Sequence, residues 1–233
     1  MSALLNLLPT GMVGNDDAPK SAPSAESLRI EIRAYAEKLI ASAESPTAVT
    51  FKEFEGHLRP MVFAMARLAI TLFLCVWEER VRAGLGSVVE AGGKRFTVRP
   101  AQPRKLNTVF GVVRYWRTYL RAGATNADRH GYHPLDIKLG LTADRLSMNL
   151  SSVIARLATK MSYAQTHTVL WWFMQDVPST EVIEKTVLGL GGRTAAWFEQ
   201  AEAPADDGDV LVVLIDSKGA PTATAEELSL IHI

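Results

Sequence analysis

The sequence predicts a mainly α protein with a small basic β-hairpin element, an α+β fold class. Apolar residues recur at helical spacing in the first third of the chain and again after residue 142. Between these regions, two apolar runs are each interrupted by a glycine-containing turn, which is typical of β-hairpins. Near the end of the chain, the mostly β-branched run Val210–Ile215 predicts a strand buried on both faces.

Charge is segregated along the chain. The 233 residues carry a formal net charge of +0 and allow one or two domains with a sizeable core. Residues 91–127 nevertheless contain eight cations and no acid, whereas every charged residue between 194 and 217 is acidic. A polyanion contacts one local patch of a protein surface, so the basic segment matters more for binding than the net charge of the whole chain.

Cysteine usage and the N-terminus bear on localisation. Cys75 is the only cysteine, which excludes a disulfide framework and a cysteine-based zinc site and fits a reducing compartment. The apolar N-terminus lacks the basic residues that open a signal peptide. We therefore expect a cytoplasmic protein.

The N-terminal region is predicted to contain a disordered leader at residues 1–24 and helices within residues 25–86. One apolar stripe runs along Ala25–Ser42, which predicts an amphipathic helix. Phe51–Ala83 predicts a long helix that is kinked or restarted at Pro60.

Part of this long helix has the composition of a membrane span. Met61–Trp77 is apolar except for Arg67, and its 17 residues are the lower limit for a span. A central arginine costs about 2.5–3.5 kcal/mol on insertion. A buried core helix or a dimer-interface helix is therefore favoured, and we expect no membrane association.

Residues 87–122 are predicted to form the basic β-hairpin element. Strands Ser87–Glu90 and Lys94–Val98 flank the first glycine turn, and strands Leu106–Val109 and Val112–Leu120 flank the second.

Cations and aromatic side chains are interleaved in this element. Cations neutralise phosphates, and aromatic rings stack on bases or brace arginines. Strict alternation places Arg114 and Thr118 on one face and Tyr115 and Arg117 on the other. The alternative is a solvated strand face on which cations discourage aggregation. We predict DNA contacts by one basic set, together with a lysine from a later helix: Arg95, Arg99, Arg104, Lys105, Arg114, Trp116, Arg117, Arg121 and Lys185.

Residues 123–203 are predicted to be helical. Apolar residues keep helical spacing from Leu146 to Met161 behind Thr142, the expected N-cap. Tyr163–Gln175 and Thr180–Leu188, joined by a short turn, have the proportions of a helix-turn-helix.

One alternative to the helix-turn-helix is left open, and the end of its second helix is also predicted. A plain helical hairpin stays open because Glu181 and Glu184 would repel phosphate. Glycines at 189, 191 and 192 are expected to end the second helix, and a further short helix is expected over Arg193–Ala203.

Residues 204–233 are predicted to be an acidic linker followed by the buried strand. The strand ends at Asp216, and turn-forming residues follow it. Active sites gather outside the carboxyl ends of such strands, which makes Asp216 a candidate catalytic residue. The alternative is an aspartate that merely opens a turn.

Five stretches, taken in order, carry a family resemblance: Thr108–Tyr119, Pro134–Asp136 with Leu139–Leu141, Met161–Tyr163, Val177–Thr180 and Val213–Thr222. Together they resemble bacterial insertion-sequence transposases of the DDE class, most nearly the ISKra-like group. The resemblance covers roughly Phe51 to Leu228 and also favours the helix-turn-helix interpretation.

The resemblance implies a DNA-binding N-terminal half followed by an RNase H-like α/β catalytic domain. Asp216 matches the first of two Asp and one Glu that bind divalent metal, normally Mg²⁺. Such enzymes cut and join DNA at the terminal inverted repeats of a mobile element. The two later acids are absent from this chain, so we expect a truncated domain that is catalytically incomplete.

Two other functions stay open. The chain is alternatively a non-enzymatic DNA-binding or regulatory protein in which the hairpins and the helix pair carry the whole function. A third interpretation is a helical oligomerisation module whose Phe51–Ala83 helix pairs in a homo-oligomer.

Overall fold

Helices and one antiparallel sheet share the described part of the chain. The structure, a computed structural model, describes residues 21–44, 50–123 and 131–201. These residues form six helices and a four-stranded antiparallel sheet, so the mixed helix-and-sheet class is confirmed. Contacts divide the chain into two units after Arg193, and the fold below belongs to the first, except that the last helix ends in the second. The predicted strand ending at Asp216 lies outside the described residues.

Two N-terminal helices pack together through one apolar cluster. Helix α1 is Ala25–Glu44 and helix α2 is Phe51–Ala83, so the predicted bounds of α2 are confirmed and α1 runs slightly beyond its predicted end. Pro60 lies inside α2 without ending it. The cluster consists of Leu28 and Tyr35 of α1 with Met61, Ala64 and Leu68 of α2.

The start of α2 is fixed by a reciprocal cap. The Thr50 hydroxyl accepts a hydrogen bond from the Glu53 backbone N–H, and the Glu53 carboxylate accepts one from the Thr50 backbone N–H. This capping box satisfies two backbone donors that the first turn of a helix otherwise leaves unpaired.

Helix α2 also meets the simple criteria for a membrane span. Among the described helices it alone is long and apolar enough to cross a bilayer, a property shared by core helices of soluble proteins. Its residues pack against α1 and the sheet, and Leu68 is only 1% exposed. Leu68 therefore belongs to the α1–α2 contact and not to a free face of α2.

The sheet is a meander rather than two separate hairpins. Its strands β1 (Val88–Ala91), β2 (Lys94–Thr108), β3 (Gly111–Ala122) and β4 (Gly131–Tyr132) pair in sequence order.

The predicted gap between the two hairpins was wrong. Strand β2 continues through it because β3 is long enough to pair with both halves. The register shifts by one residue between Arg99 and Gln102, and Pro100 falls in this bulge, where a proline does not break the ladder.

Burial along β3 changes phase near this bulge. Val113 and Tyr115 are buried in the first half, whereas Thr118 is buried in the second half, so the expectation that Thr118 lies on the same face as Arg114 was wrong. Both the N–H and the hydroxyl of Thr118 donate to the carboxylate of Glu78 on α2. These two hydrogen bonds to the buried Glu78 carboxylate keep the Thr118 side chain in the protein interior.

The turn between β2 and β3 is clamped by a buried arginine. Arg67 of α2 is 5% exposed, and its Nη1 donates to the Phe110 carbonyl at 3.0 Å and to Gln175 Oε1 at 2.8 Å. Asp176 Oδ2 accepts the Val112 N–H at 3.3 Å. Burial lowers the pKa of Arg67, and the charge of Asp176 opposes that shift.

The same turn needs a glycine. Gly111 has φ +105, and a Cβ there would lie 2.9 Å from Asp176 Oδ2. The positive φ would strain any other residue at this position, and a side chain there would also displace the Asp176 carboxylate.

The remaining helices are α3 (Pro134–Leu139), α4 (Met148–Ala158), α5 (Tyr163–Phe173) and α6 (Thr180–Gln200). The last three enclose a core of six buried residues: Leu146, Leu150, Ile154, Leu170, Met174 and Ile183. The predicted N-cap was wrong, since Ser147 caps α4 with its hydroxyl. Thr142 instead presents its carbonyl oxygen to Arg104.

Helix α6 passes through three glycines that were expected to end it. The predicted short helix beginning at Arg193 is the continuation of α6. A Cβ built at Gly189, Gly191 or Gly192 meets nothing within 4 Å, so these glycines are exposed interior positions rather than close contacts. Glycine weakens a helix by about 0.5–1 kcal/mol relative to alanine without forcing it to stop.

Two Gly→Ala variants should shift stability in opposite directions. Gly189→Ala should raise the free energy of unfolding by about 0.5–1 kcal/mol, because alanine is the better helix former. Gly140, the C-cap of α3, has φ +63 and equally open surroundings. Gly140→Ala should lower the free energy of unfolding by about 1–2 kcal/mol, because left-handed backbone is strained for alanine. Denaturant unfolding followed by circular dichroism measures both free energies of unfolding. A change in the same direction for both variants would contradict the helical backbone of Gly189 or the left-handed backbone of Gly140.

Candidate functional site

A cleft lined by cations lies beside the central strands. It has a volume of about 750 Å³ and is bordered by β2, β3, the β4–α3 segment and the loop that follows α3. We call it the basic cleft. Its cationic lining residues are Arg104, Lys105, Arg114, Arg117 and Arg145, and its one lining carboxylate among the described residues is Asp136.

The Asp136 carboxylate is already engaged by three side chains. Its Oδ2 accepts from Arg104 Nη1 at 2.8 Å and pairs with Arg117 Nη1. Its Oδ1 accepts from the Tyr115 hydroxyl at 2.9 Å. Asp136 therefore pairs with two arginines but compensates only one of their two charges, which leaves the cleft with an excess of positive charge.

Arg104 and Arg117 have structural roles. Arg104 bonds Asp136 through one nitrogen and the Thr142 carbonyl through another, so it joins β2 to α3 and to the following loop. Arg117 joins β3 to α3 through Asp136, and its buried Nε finds no hydrogen-bond partner in the described part of the chain. Burial lowers the pKa of Arg117, and the charges of Arg104 and Arg145 lower it further.

Lys105 and Arg114 are the strand cations that line the cleft and are available to an external anion. They lie directly opposite each other across the β2–β3 ladder. Lys105 is exposed and Arg114 is half-buried, and neither forms an ion pair within the described residues. Like charges in directly opposite positions repel, and an anion bound between them would relieve that repulsion.

Arg145 is a lining residue that the sequence did not single out. It is exposed, and its backbone lies in the left-handed region at φ 59. It follows α3 in a loop, and nothing in its local sequence marks it as part of a basic cluster that lies on strands. Only the folded chain brings it beside Lys105 and Arg114.

His133 closes one side of the cleft. Its Nδ1 lies 3.0 Å from the Thr118 carbonyl oxygen, and because that oxygen only accepts, Nδ1 carries the hydrogen. Burial lowers the pKa of His133, and the charge of Arg117 lowers it further, so the ring is favoured in its neutral form.

The other predicted DNA-binding residues of the sheet lie outside this cleft. Arg95 pairs with Glu90 at 3.7 Å, and both side chains are largely exposed. Arg99 is exposed on β2, and Arg121 lies opposite Thr97 on β3. Trp116 lines a separate cavity of about 180 Å³ beside α2.

Lys185 is not brought together with the strand cations. It lines a groove between α4 and α6, together with Glu181 and Glu184. The predicted helix pair is present as α5 and α6, but its exposed polar residues there carry mixed charge. A basic surface on α6 is therefore not formed by these three residues.

Metal binding has no support within the described residues. They contain no group of three or more His, Cys, Asp or Glu side chains that could hold a metal ion. Asp216, the predicted catalytic and metal-binding residue, lies outside them.

A comparison of the chain with family models, with curated proteins and with solved structures found no match. The transposase resemblance therefore stays an expectation from the sequence.

Removal of the Asp136 charge should destabilise the fold strongly. Asp136→Asn leaves Arg104 and Arg117 buried without a counter-charge and should lower the free energy of unfolding by about 3–5 kcal/mol. Asp144→Asn is the matched control, because Asp144 pairs with Arg193 at 3.7 Å and both side chains are more than half exposed. The control should change stability by less than about 0.5 kcal/mol. Chemical denaturation measures both, and equal losses would refute the role assigned to Asp136.

Proposed function

We propose that this chain binds DNA through the basic cleft, as the DNA-binding part of a transposase that acts at the terminal inverted repeats of a mobile element. One observation carries the binding proposal. Five cations surround one carboxylate in the cleft, and that carboxylate is already bonded to Arg104, Arg117 and Tyr115. The remaining cations are available for an external anion.

Backbone phosphates are the anions that best fit this arrangement. Most protein contacts to DNA go to phosphate and sugar, and each neutralised phosphate releases counterions into solution. Lys105 and Arg114 project from a rigid β-ladder, so they lose little conformational freedom in the backbone on binding. A phosphate between them replaces repulsion with attraction.

The cleft is a better candidate for phosphate contact than helix α6. Lys185 shares its groove with Arg193 and with the acids Glu181, Glu184 and Asp144, so the acids outnumber the cations there and disfavour phosphate. The helix-turn-helix role of α5 and α6 therefore receives less support than the strand cations. A non-enzymatic DNA-binding protein would use the same cleft and differs from the transposase only in the absence of strand cleavage.

The catalytic part of the proposal comes from the order of the sequence stretches that resemble DDE transposases. In that proposal, Val210–Ile215 is the first strand of an RNase H-like domain, and Asp216 is one of three acids that bind Mg²⁺. Two-metal phosphoryl transfer needs several converging carboxylates. Since the described residues offer no such group, no catalytic step is derived from them.

DNA binding should depend steeply on salt and on the strand cations. A Lys105→Ala, Arg114→Ala double variant should lower the slope of log affinity against log salt by about 2, one unit for each lost phosphate contact. Arg29→Ala, Arg33→Ala is the matched control, because both arginines are exposed on α1. Fluorescence anisotropy with a labelled duplex, measured between about 50 and 200 mM salt, gives the slopes. Absent or salt-independent binding, or an equal loss in the control, would overturn the proposal.

The role of Asp216 is tested separately. In a transposase that carries this chain together with the two later acids, Asp216→Ala should abolish Mg²⁺-dependent cleavage of element ends while leaving DNA affinity unchanged. Gel assays of cleavage and binding measure the two effects. Retained cleavage would remove Asp216 from the catalytic site.

A further inference from the structure

We propose that Arg145 is a ligand for a DNA backbone phosphate in the basic cleft, held there in a backbone conformation that costs the fold stability. This inference rests on the proposed DNA-binding function and adds a residue to it. Arg145 contributes a third available cation, beside Lys105 and Arg114.

The backbone conformation of Arg145 is unusual. It is the one non-glycine residue with positive φ in the described ranges, at φ 59. A left-handed conformation costs a residue with a Cβ about 1–2 kcal/mol, and glycine or asparagine adopts it more readily. The sequence therefore carries an unfavourable residue type at a position where a more stable choice exists.

Bonds on both sides hold this conformation in place. The Arg145 carbonyl accepts the Asn107 N–H at 2.7 Å, and the Ser147 N–H donates to the Asn107 carbonyl at 2.8 Å. Leu146, between them, is 2% exposed in the core shared by α4, α5 and α6. The edge of β2 and the start of α4 thus fix the path of the chain, and strain of this kind persists where its surroundings over-determine it.

The side chain is available for an external anion. Arg145 is exposed and lines the cleft, and it forms no ion pair within the part of the chain that the structure describes. The charge of Arg145 lowers the pKa of Arg117, as the charge of Arg104 also does. The cleft therefore holds cations that repel one another, and a bound anion would reduce that repulsion.

Three segments present the available cations. Lys105 comes from β2, Arg114 from β3, and Arg145 from the loop before α4. A phosphate accepts hydrogen bonds from several directions through its oxygens, so it can bridge donors from separate segments. The same chemistry is shared by free inorganic phosphate, which the experiment must distinguish from DNA.

Arg145→Gly separates binding from folding. Glycine keeps the left-handed backbone and removes the charge, so Tm should equal or exceed that of the unmodified chain. The affinity for a labelled duplex should fall roughly eightfold at 0.1 M salt, with the salt slope reduced by about 0.9, as expected for one lost phosphate contact. Arg145→Asn should behave in the same way, and Arg145→Lys should retain most of the slope because it keeps the positive charge.

The outcomes distinguish this inference from the proposed function. Failure of the unmodified chain to bind DNA would overturn both. Normal binding that is lost in the Lys105, Arg114 double variant and kept in Arg145→Gly would overturn this inference alone. A lower Tm for Arg145→Gly would refute the strain argument. Inorganic phosphate at millimolar concentration should compete weakly with the duplex, and complete displacement at that concentration would indicate a site for free phosphate instead of DNA.

Discussion

The carboxylate of Asp136 is the group on which the arrangement of the sheet, α3 and the basic cleft depends. It accepts hydrogen bonds from Tyr115 and Arg104 and pairs with Arg117, and all three side chains come from the two long strands. Without this carboxylate, two arginines with little exposure would lie close together with no counter-charge. Because Asp136 engages these two arginines, the cations available to an external anion are those that it does not reach.

Polar side chains, as well as apolar packing, connect the helices to the sheet. Arg67 and Glu78 are spaced along the same buried face of α2, and they bond the β2–β3 turn and the Thr118 peptide respectively. His133 donates through Nδ1 to the backbone carbonyl of the same residue, Thr118. Buried polar groups of this kind accept few alternative geometries, which is why the strand cations have defined positions relative to α3.

Local sequence patterns predicted which helices and strands are present better than they predicted where those elements end. The period of apolar residues located α2 to its final bounds, and the glycine turn at Gly111 located the β2–β3 hairpin. The continuity of β2 was missed because pairing with a long partner strand outweighs a local proline. The continuity of α6 was missed because an exposed glycine weakens a helix without ending it.

The sequence by itself determined that cations are concentrated before residue 122, and that they lie on strands. It could not separate Arg104 and Arg117 from Arg114, because all three are arginines in one basic run. The tertiary structure separates them, because it brings Asp136, 32 residues beyond Arg104, within hydrogen-bond distance of Arg104 and Arg117. Ion pairing depends on distance through space, which only the completed fold defines. The same reason placed Arg145 in the cleft, since hydrogen bonds to β2 fix its backbone.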